Sequence, residues 1–291
     1  MTDAACREAA SPDEQTVGEE RHLAAREAAP VPARQAATVV LLRPARTGVE
    51  TFLLTRDGRS RFGAGMSVFP GGALDAADAG VALQGRTLGL SLASAFERLH
   101  ARGCDAPPSP DTAFGLHVAA LRELFEEAGV LLGTIGGHTP AAAPASTIER
   151  LARARADLQA GRISFAAVVE AADVLLVPER LVHFAHWITP LASPRRFDTR
   201  FFAVAVPADQ DAVHCGVETT AGAWMPARDA LTRAAQGSLT LMRPTEAVLK
   251  ALAHFDSVPD ALDWARSKQI RTVTPLREAG VWALNVEGDA W

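Results

Sequence analysis

The stretch LRELFEEAGV, Leu121 to Val130, places three glutamates within five positions. On a helix with about 100° per residue, Glu126 and Glu127 fall within about 60° of Glu123, so the three carboxylates share one face. Like charges at these spacings repel each other and weaken a helix. A hard divalent cation such as Mg²⁺ or Mn²⁺ would relieve the repulsion, because it prefers oxygen ligands. The stretch predicts a cation site on a helix, and the alternative is a solvated acidic face on which Arg122 pairs with Glu126.

The sequence around this stretch predicts where the helix begins and ends. Ser109 is followed by Pro110, a favourable N-cap and first helical residue, and Gly129 suits a C-terminal cap after Ala128. The side opposite the glutamates is apolar and is expected to pack on a core. Its members are Phe114, Val118, Leu121 and Phe125.

Upstream of the helix, two β-branched and leucine-rich runs predict strands at 37–44 and 50–56. A glycine-rich loop carrying Arg59 and Arg61 follows and leads into FPGGALDAAD, residues 69–78. Gly71 and Gly72 predict a turn there, ahead of the acidic residue Asp78.

Further strands are predicted at 180–190, 198–207 and 217–226, and helical segments lie between and after them. This mixture predicts an α/β or α+β fold with helical insertions. We expect one domain over residues 34–291, with helical insertions at about 79–110 (the first insertion) and 140–172 (the second insertion). Residues 1–33 contain few large apolar residues and are predicted to be a flexible tail.

Composition excludes several classes of function. The formal net charge is −5, which gives no reason to expect nucleic-acid binding. No apolar run approaches the roughly 18 residues of a membrane span. The three cysteines, Cys6, Cys104 and Cys215, are far apart and form no metal-binding or disulfide pattern. A cytoplasmic protein is expected, since the sequence also shows no export signal and no C-terminal peroxisomal address.

The segment RELFEEAGV (122–130) matches every fixed position of R-E-U-x-E-E-x-G-U, where U is bulky and aliphatic, the second half of the Nudix box. The first half, G-x5-E, matches from Gly72, except that Asp78 replaces the usual glutamate. Between Asp78 and Arg122 stand 43 residues, 36 more than the seven of the family pattern. The sequence therefore resembles the Nudix hydrolase family, in particular its peroxisomal-type coenzyme A diphosphatase branch, which has an insertion at this point. The resemblance implies an α/β/α sandwich with a mixed central sheet.

The resemblance also implies a role for each matching residue. Glu126 and Glu127 would be the principal ligands of Mg²⁺ or Mn²⁺, and Glu123 a further ligand or the base that deprotonates water. Arg122 would orient Glu123. The glycines Gly71, Gly72 and Gly129, with Asp78, would shape the loop and the helix end. Glu218 is a candidate for one more metal ligand, with a solvated residue at a strand end as the alternative.

The implied reaction is hydrolysis of the diphosphate bridge in a small nucleoside diphosphate derivative. Coenzyme A or acyl-coenzyme A would yield 3′,5′-ADP and (acyl-)4′-phosphopantetheine. The segment LLTRDGRSRFGAGMSVFPGG keeps only part of the motif of coenzyme A hydrolases. ADP-ribose and NADH are therefore alternative substrates, and a non-catalytic nucleotide-sensing domain is an alternative function. Arginine suits phosphate recognition, and the candidates for substrate binding are Arg56, Arg59, Arg61 and Arg196, with Arg195 beside the last.

Three other features remain open on sequence alone. His183 and His186 are expected on opposite faces of a strand, which argues against a shared metal. Trp187 and Trp224 either stack on a base or pack in the core. The helical insertions either cover the pocket or form a homodimer interface.

Overall fold

The computed structural model describes residues 31–58, 63–103, 107–214, 216, 219–278 and 281–284. Arg59, Arg61, Glu218 and the three cysteines lie outside the described residues, as does the predicted tail apart from 31–33. None of the helices in the described part of the chain has the length and apolar character that a bilayer crossing requires.

The strands, in chain order, are β1 Arg34–Pro44, β2 Val49–Arg56, β3 Ser67–Val68, β4 Gly71–Ala73, β5 Gly133–Ile135, β6 Val174–Leu176, β7 Val182–Ile188, β8 Phe197–Ala205, β9 Thr219–Pro226, β10 Thr272–Val273, β11 Pro275–Glu278 and β12 Val281–Leu284. The helices are α1 Val81–Gln84, α2 Leu92–His100, α3 Pro110–Ala128, α4 Ala145–Gln159, α5 Phe165–Ala171, α6 Ala227–Ala235, α7 Arg243–Leu252 and α8 Val258–Ser267. Short 3₁₀ helices lie at Ala76–Ala79, Pro140–Ala142 and Pro178–Arg180.

The main sheet is mixed and has eight strands among the described residues, with the order β10-β7-β8-β1-β2-β3; β4 pairs with β1 and β9 pairs with β2. Strand β1 runs parallel to β8 over residues 34–42. It also pairs in antiparallel fashion with β4 at residues 36–38 and with β2 at residues 42–44. The start of β1 therefore lies beside both the glycine strand β4 and the start of β8.

Both faces of this sheet are covered. Val39 and Leu41 of β1 pack into one core with helix α3, whereas Val40 and Leu42 pack into the other core with α7 and α8. A strand buried on both faces reads as a continuous apolar run, which explains the VVLL sequence. The predicted α+β fold with a mixed central sheet is confirmed.

Helix α3, called the glutamate helix from here on, begins and ends where the sequence predicts. The Ser109 hydroxyl accepts a hydrogen bond from the Thr112 amide at 3.3 Å, and Gly129 has a left-handed backbone with φ of 68°. The alternative of a solvated acidic face is wrong for Glu123 and Glu127, which are only 8% and 7% exposed. Strand β4 packs on this helix, as do the 3₁₀ helix Ala76–Ala79, α2 of the first insertion and α4 of the second.

Each predicted insertion contains helices. The first insertion holds α1 and α2, and the second holds α4 and α5 between strands β5 and β6, which pair with each other. The two insertions also contact one another. Helix α1 contacts α5. Just beyond the second insertion, Asp173 pairs with Arg86 at 2.6 Å, and the carbonyl of Leu176 accepts from the amide of Leu88 at 2.8 Å.

Candidate active site

The glycine strand β4 lies directly against the acidic side of the glutamate helix. The Gly71 amide donates to Glu127 Oε2 at 2.8 Å. A Cβ atom on Gly72 would lie 2.2 Å from Glu123 Oε1, and one on Gly71 would lie 2.5 Å from the Ala37 carbonyl oxygen. The Cβ of Gly71 would collide with the backbone of β1 and that of Gly72 with the Glu123 carboxylate, so glycine at these positions lets β4 fit closely between β1 and the glutamate helix.

Arg122 connects Asp78 to the glutamates. Its Nε and Nη2 atoms donate to the two carboxylate oxygens of Asp78 at 2.9 and 3.0 Å, a two-point ion pair. Its Nη1 atom donates to Glu123 Oε1 at 2.7 Å and to Glu126 Oε1 at 3.2 Å. Asp78 is 1% exposed and also accepts from the Asp75 amide at 2.9 Å. The short acid therefore reaches the arginine despite the insertion that follows it.

Burial controls the electrostatics of this cluster. It raises the pKa of the Glu123 carboxyl to about 7; the charge of Arg122 opposes the rise, and that of Glu126 adds to it. Burial also raises the pKa of Asp78, against the hydrogen bonds from Arg122. Although burial lowers the pKa of Arg122, the hydrogen bonds to Asp78 and the charge of Glu123 outweigh it and raise the pKa overall. The paired geometry supports an ionised Asp78–Arg122 pair. Arg122 thus pairs with three acids, Asp78, Glu123 and Glu126, which is more acidic groups than its single charge balances.

The glutamates open onto a cavity of about 1150 Å³. Glu123, Glu126 and Glu127 line one part of it, and an apolar part is formed by Phe69, Trp187 and Phe201, among others. This volume exceeds the roughly 300–1,000 Å³ of common small-ligand pockets. The cavity therefore has room for an extended substrate.

Comparison with known proteins places the chain in a family. The model of the NUDT19 Nudix domain matches residues 25–247. The chain belongs to the Nudix hydrolase family. The match agrees with the branch that the insertion within the Nudix box predicts.

Individual relatives agree with this family. A Nudix hydrolase from Alicyclobacillus acidocaldarius, known from a crystal structure, shares 34% sequence identity with this chain. The match covers 80% of this chain and 96% of the other, and the two structures superpose with a TM-score of 0.64. The Caenorhabditis elegans protein "Putative nudix hydrolase 7" is 26% identical over 211 residues. That match spans 72% of this chain and 57% of the worm protein, so the chain covers little more than half of that relative.

The Nudix box glutamates have the donor chemistry of a site for Mg²⁺ or Mn²⁺. Their carboxylate oxygens are hard ligands, as both cations prefer, and the glycines of β4 leave room for them. Within the described residues, however, no three His, Cys, Asp or Glu side chains are gathered into a finished metal site. Glu123 and Glu126 each direct Oε1 toward Arg122. The residues fit the cation, since each carboxylate has a second oxygen besides the one that bonds Arg122.

The arginines predicted to bind substrate have different locations. Arg56 and Arg195 line the cavity. Arg196 is not among the lining residues, and its guanidinium donates to the carbonyls of Thr189 at 3.0 Å and Val31 at 2.8 Å.

Sequence reasoning missed two arginines that line the cavity, Arg34 and Arg243. Arg34 reaches it because β1 runs parallel to β8, which places Arg34 opposite Phe197 and next to the 195–196 loop. No local sequence pattern indicates a pairing over such a distance.

The two histidines of β7 do not have the predicted orientation. His183 lies opposite Phe202 and His186 lies opposite Arg200, two residues away on β8, so both face the same side of the sheet. The prediction of opposite faces was wrong because a β-bulge between His183 and Ala185 shifts the alternation by one residue. They still do not form a metal pair, since His186 bonds Asp198 at 2.5 Å and Thr272 at 2.9 Å, whereas His183 packs on the Phe202 ring.

The two tryptophans are also distinct. Trp224 packs on Phe52 at 5.5 Å between ring centroids, and the guanidinium of Arg43 lies 4.0 Å from its ring. Trp187 is 3% exposed and lines the cavity. Core packing therefore accounts for Trp224, and Trp187 also packs in a core, that of α7 and α8, at the wall of the cavity.

Proposed function

We propose that this Nudix hydrolase cleaves the diphosphate bridge of a nucleoside diphosphate derivative, with Mg²⁺ or Mn²⁺ as cofactor. The observation that carries the proposal is the location of Glu123, Glu126 and Glu127 together on one wall of a large cavity that also contains arginines. Carboxylates alone would repel a diphosphate. Carboxylates that hold a cation, next to arginines, would attract it.

In this proposal Glu126 and Glu127 hold the cation. The bound cation would neutralise phosphate charge and make a water more acidic. Glu123 either completes the cation site or accepts the proton of the attacking water, and its raised pKa near 7 suits that second role. The water oxygen forms a bond to one phosphorus of the bridge as the bond from that phosphorus to the bridging oxygen breaks, so each product keeps one of the two bridge phosphates. Arg122 holds Glu123 in place, and Asp78 holds Arg122.

We further propose coenzyme A or acyl-coenzyme A as the substrate, with 3′,5′-ADP and (acyl-)4′-phosphopantetheine as products. Such a molecule is long, carries an additional phosphate and has an uncharged arm. The cavity volume, its apolar part at Phe69 and Trp187, and the arginines Arg56 and Arg195 support this choice. ADP-ribose and NADH, which lack the additional phosphate, are the alternative substrates.

A substrate panel tests the proposal. The purified chain would be incubated with coenzyme A, acyl-coenzyme A, ADP-ribose, NADH and diadenosine polyphosphates, with Mg²⁺ or Mn²⁺, and the products identified by mass spectrometry. We expect 3′,5′-ADP from coenzyme A. Glu127→Gln should lose more than the roughly 10- to 100-fold that outer-shell changes cost. The control Glu149→Gln, at a side chain that is 73% exposed, should retain activity.

Failure to hydrolyse any of these compounds with either metal would refute the proposed reaction. Tight nucleotide binding without product would instead indicate the nucleotide-sensing alternative. Hydrolysis of ADP-ribose or NADH but not of coenzyme A would refute only the choice of substrate. Glu218 as a metal ligand, Arg59 and Arg61 as substrate ligands, the single domain with its flexible tail, the homodimer and the cytoplasmic location stay predictions.

A further inference from the structure

The last turn of the glutamate helix is the part of the active site that most needs external support. Glu126 and Glu127 both stand in it, since the helix ends at Ala128. The final carbonyls of any helix lack partners within the helix, and its end frays unless other groups bind them. The described contacts show what binds the carbonyl of Glu126.

Two side chains of α4, in the second insertion, bind that carbonyl. Arg155 donates from Nε to the Glu126 carbonyl oxygen at 2.9 Å, and Gln159 donates to the same oxygen from Nε2. Arg155 also donates from Nη2 to the carbonyl of Val213 at 2.7 Å, in the segment that precedes β9. A cation at the C-terminal end of a helix is also favourable for the helix dipole.

The fit between Arg155 and the helix end is close. A Cβ atom on Gly129 would lie 2.7 Å from Arg155 Nη1. Glycine at the end of the Nudix box therefore suits both the left-handed backbone there and the close approach of the guanidinium.

Gln159 also belongs to the cavity itself. It lines the same cavity as Glu123, Glu126 and Glu127, although it comes from the second insertion and not from the Nudix box. Leu151 and Leu158 of the same helix pack into the core that contains the glutamate helix, so α4 is anchored on both sides of Arg155.

We propose that Arg155 and Gln159 are positioning residues for Glu126, and that the second insertion is thereby part of the catalytic apparatus. They act by holding the last turn of the glutamate helix so that the carboxylates of Glu126 and Glu127 stay directed into the cavity. This inference rests on the proposed function, because it takes those carboxylates as cation ligands.

Metal binding in the absence of substrate tests the inference. Mn²⁺ would be titrated into the full-length chain and the free ion measured by electron paramagnetic resonance, for wild type, Arg155→Met and Gln159→Leu. We expect Arg155→Met to bind Mn²⁺ about 10-fold more weakly, as is typical when a supporting group is removed. Arg155→Lys should recover part of the affinity. The matched control is Arg153→Met on the same helix, whose side chain is 75% exposed, and it should bind as wild type does.

A purely structural role predicts a different result. In that case the melting temperature measured in chelator falls, but the Mn²⁺ affinity of the folded variants equals that of wild type, and the inference is overturned. If Arg155→Met does not fold, Arg155→Lys and Gln159→Leu decide the matter, and wild-type affinity in both overturns it. Wild-type protein that binds no Mn²⁺ refutes the cation part of the proposed function together with this inference. If the wild-type protein is an active enzyme and the variants bind Mn²⁺ as tightly as it does, only this inference is refuted and the proposed function stands.

Discussion

A buried ion pair between Asp78 and Arg122 joins the two halves of the Nudix box. Asp78 is almost completely buried, and both of its oxygens accept hydrogen bonds from the guanidinium. Removing one partner of such a pair leaves a buried charge without its counter-ion, which is costly. The same arginine holds two of the glutamates, so this contact supports both the fold and the site.

We therefore expect Asp78→Ala to lower the free energy of unfolding by about 3 kcal/mol and to reduce diphosphatase activity. Chemical denaturation and an activity assay measure the two effects. The matched control is Asp263→Ala, which removes a pair with Arg266 on helix α8 whose aspartate side chain is 73% exposed. Exposed pairs contribute about 0–1 kcal/mol. Equal losses in the two variants would contradict the importance assigned to the buried pair.

At the scale of a single element, the glutamate helix buries a histidine on a side other than the one that carries the glutamates. His117 is 1% exposed, bonds the carbonyl of Ala113 at 2.8 Å, and lies 5.0 Å from the Phe202 ring. Burial lowers the pKa of His117 to about 4. His183 touches Phe202 as well, and burial lowers its pKa well below the ordinary value. The contact between helix and sheet thus contains two histidines that are neutral at pH 7.

This contact should make the fold sensitive to acid. Below about pH 6.5 the unfolded chain gains a proton on His117 that the folded chain does not accept until about pH 4. The stability linked to this residue is therefore present above pH 6.5 and is lost as the pH falls toward 4. Between pH 7 and pH 5 we expect His117 alone to cost about 2 kcal/mol of unfolding free energy.

Urea denaturation at pH 7 and pH 5 measures this loss. His117→Gln should reduce the difference between the two pH values, whatever its effect on stability at pH 7. His138→Asn, at an exposed histidine, should leave the difference as in wild type. An unchanged difference in His117→Gln would show that this residue does not cause the acid sensitivity.

At the scale of the whole molecule, the mixed sheet separates two cores, and the two insertions close over the glutamate helix from the side away from the sheet. The carboxylates of Asp78, Glu123 and Glu126 pair with Arg122, and Glu127 lines the same cavity as the two other glutamates. A ligand that binds only the folded state stabilises it in proportion to the logarithm of its concentration. A divalent cation at this site should therefore stabilise the entire fold.

Mn²⁺ at about 100 times its dissociation constant should contribute about 2.7 kcal/mol. For a chain of this size that corresponds to an increase in melting temperature of about 4 °C. The increase should be absent in a Glu126→Gln, Glu127→Gln double variant and present in Glu149→Gln. An equal increase in the double variant would place the cation elsewhere.

Local sequence determined the glutamate helix, its two ends and the side that carries the acids. Ser109, Pro110 and Gly129 act through contacts within one turn, and the glutamates share a side because of the helical repeat. The glycines of FPGG and the matches to the Nudix box were sufficient to indicate the family. All of these depend on neighbours a few positions apart, which a sequence displays directly.

The tertiary structure alone decided how distant segments meet. Asp78 pairs with Arg122 across the first insertion, and Arg34 lies at the cavity because β1 pairs with β8. Arg155 likewise donates a hydrogen bond to the end of the glutamate helix. Each of these contacts joins residues far apart in the chain. The bulge that turned His183 and His186 to one face likewise arises from pairing with β8. Such contacts depend on the packing of complete elements, whose relative positions no local spacing of residues specifies.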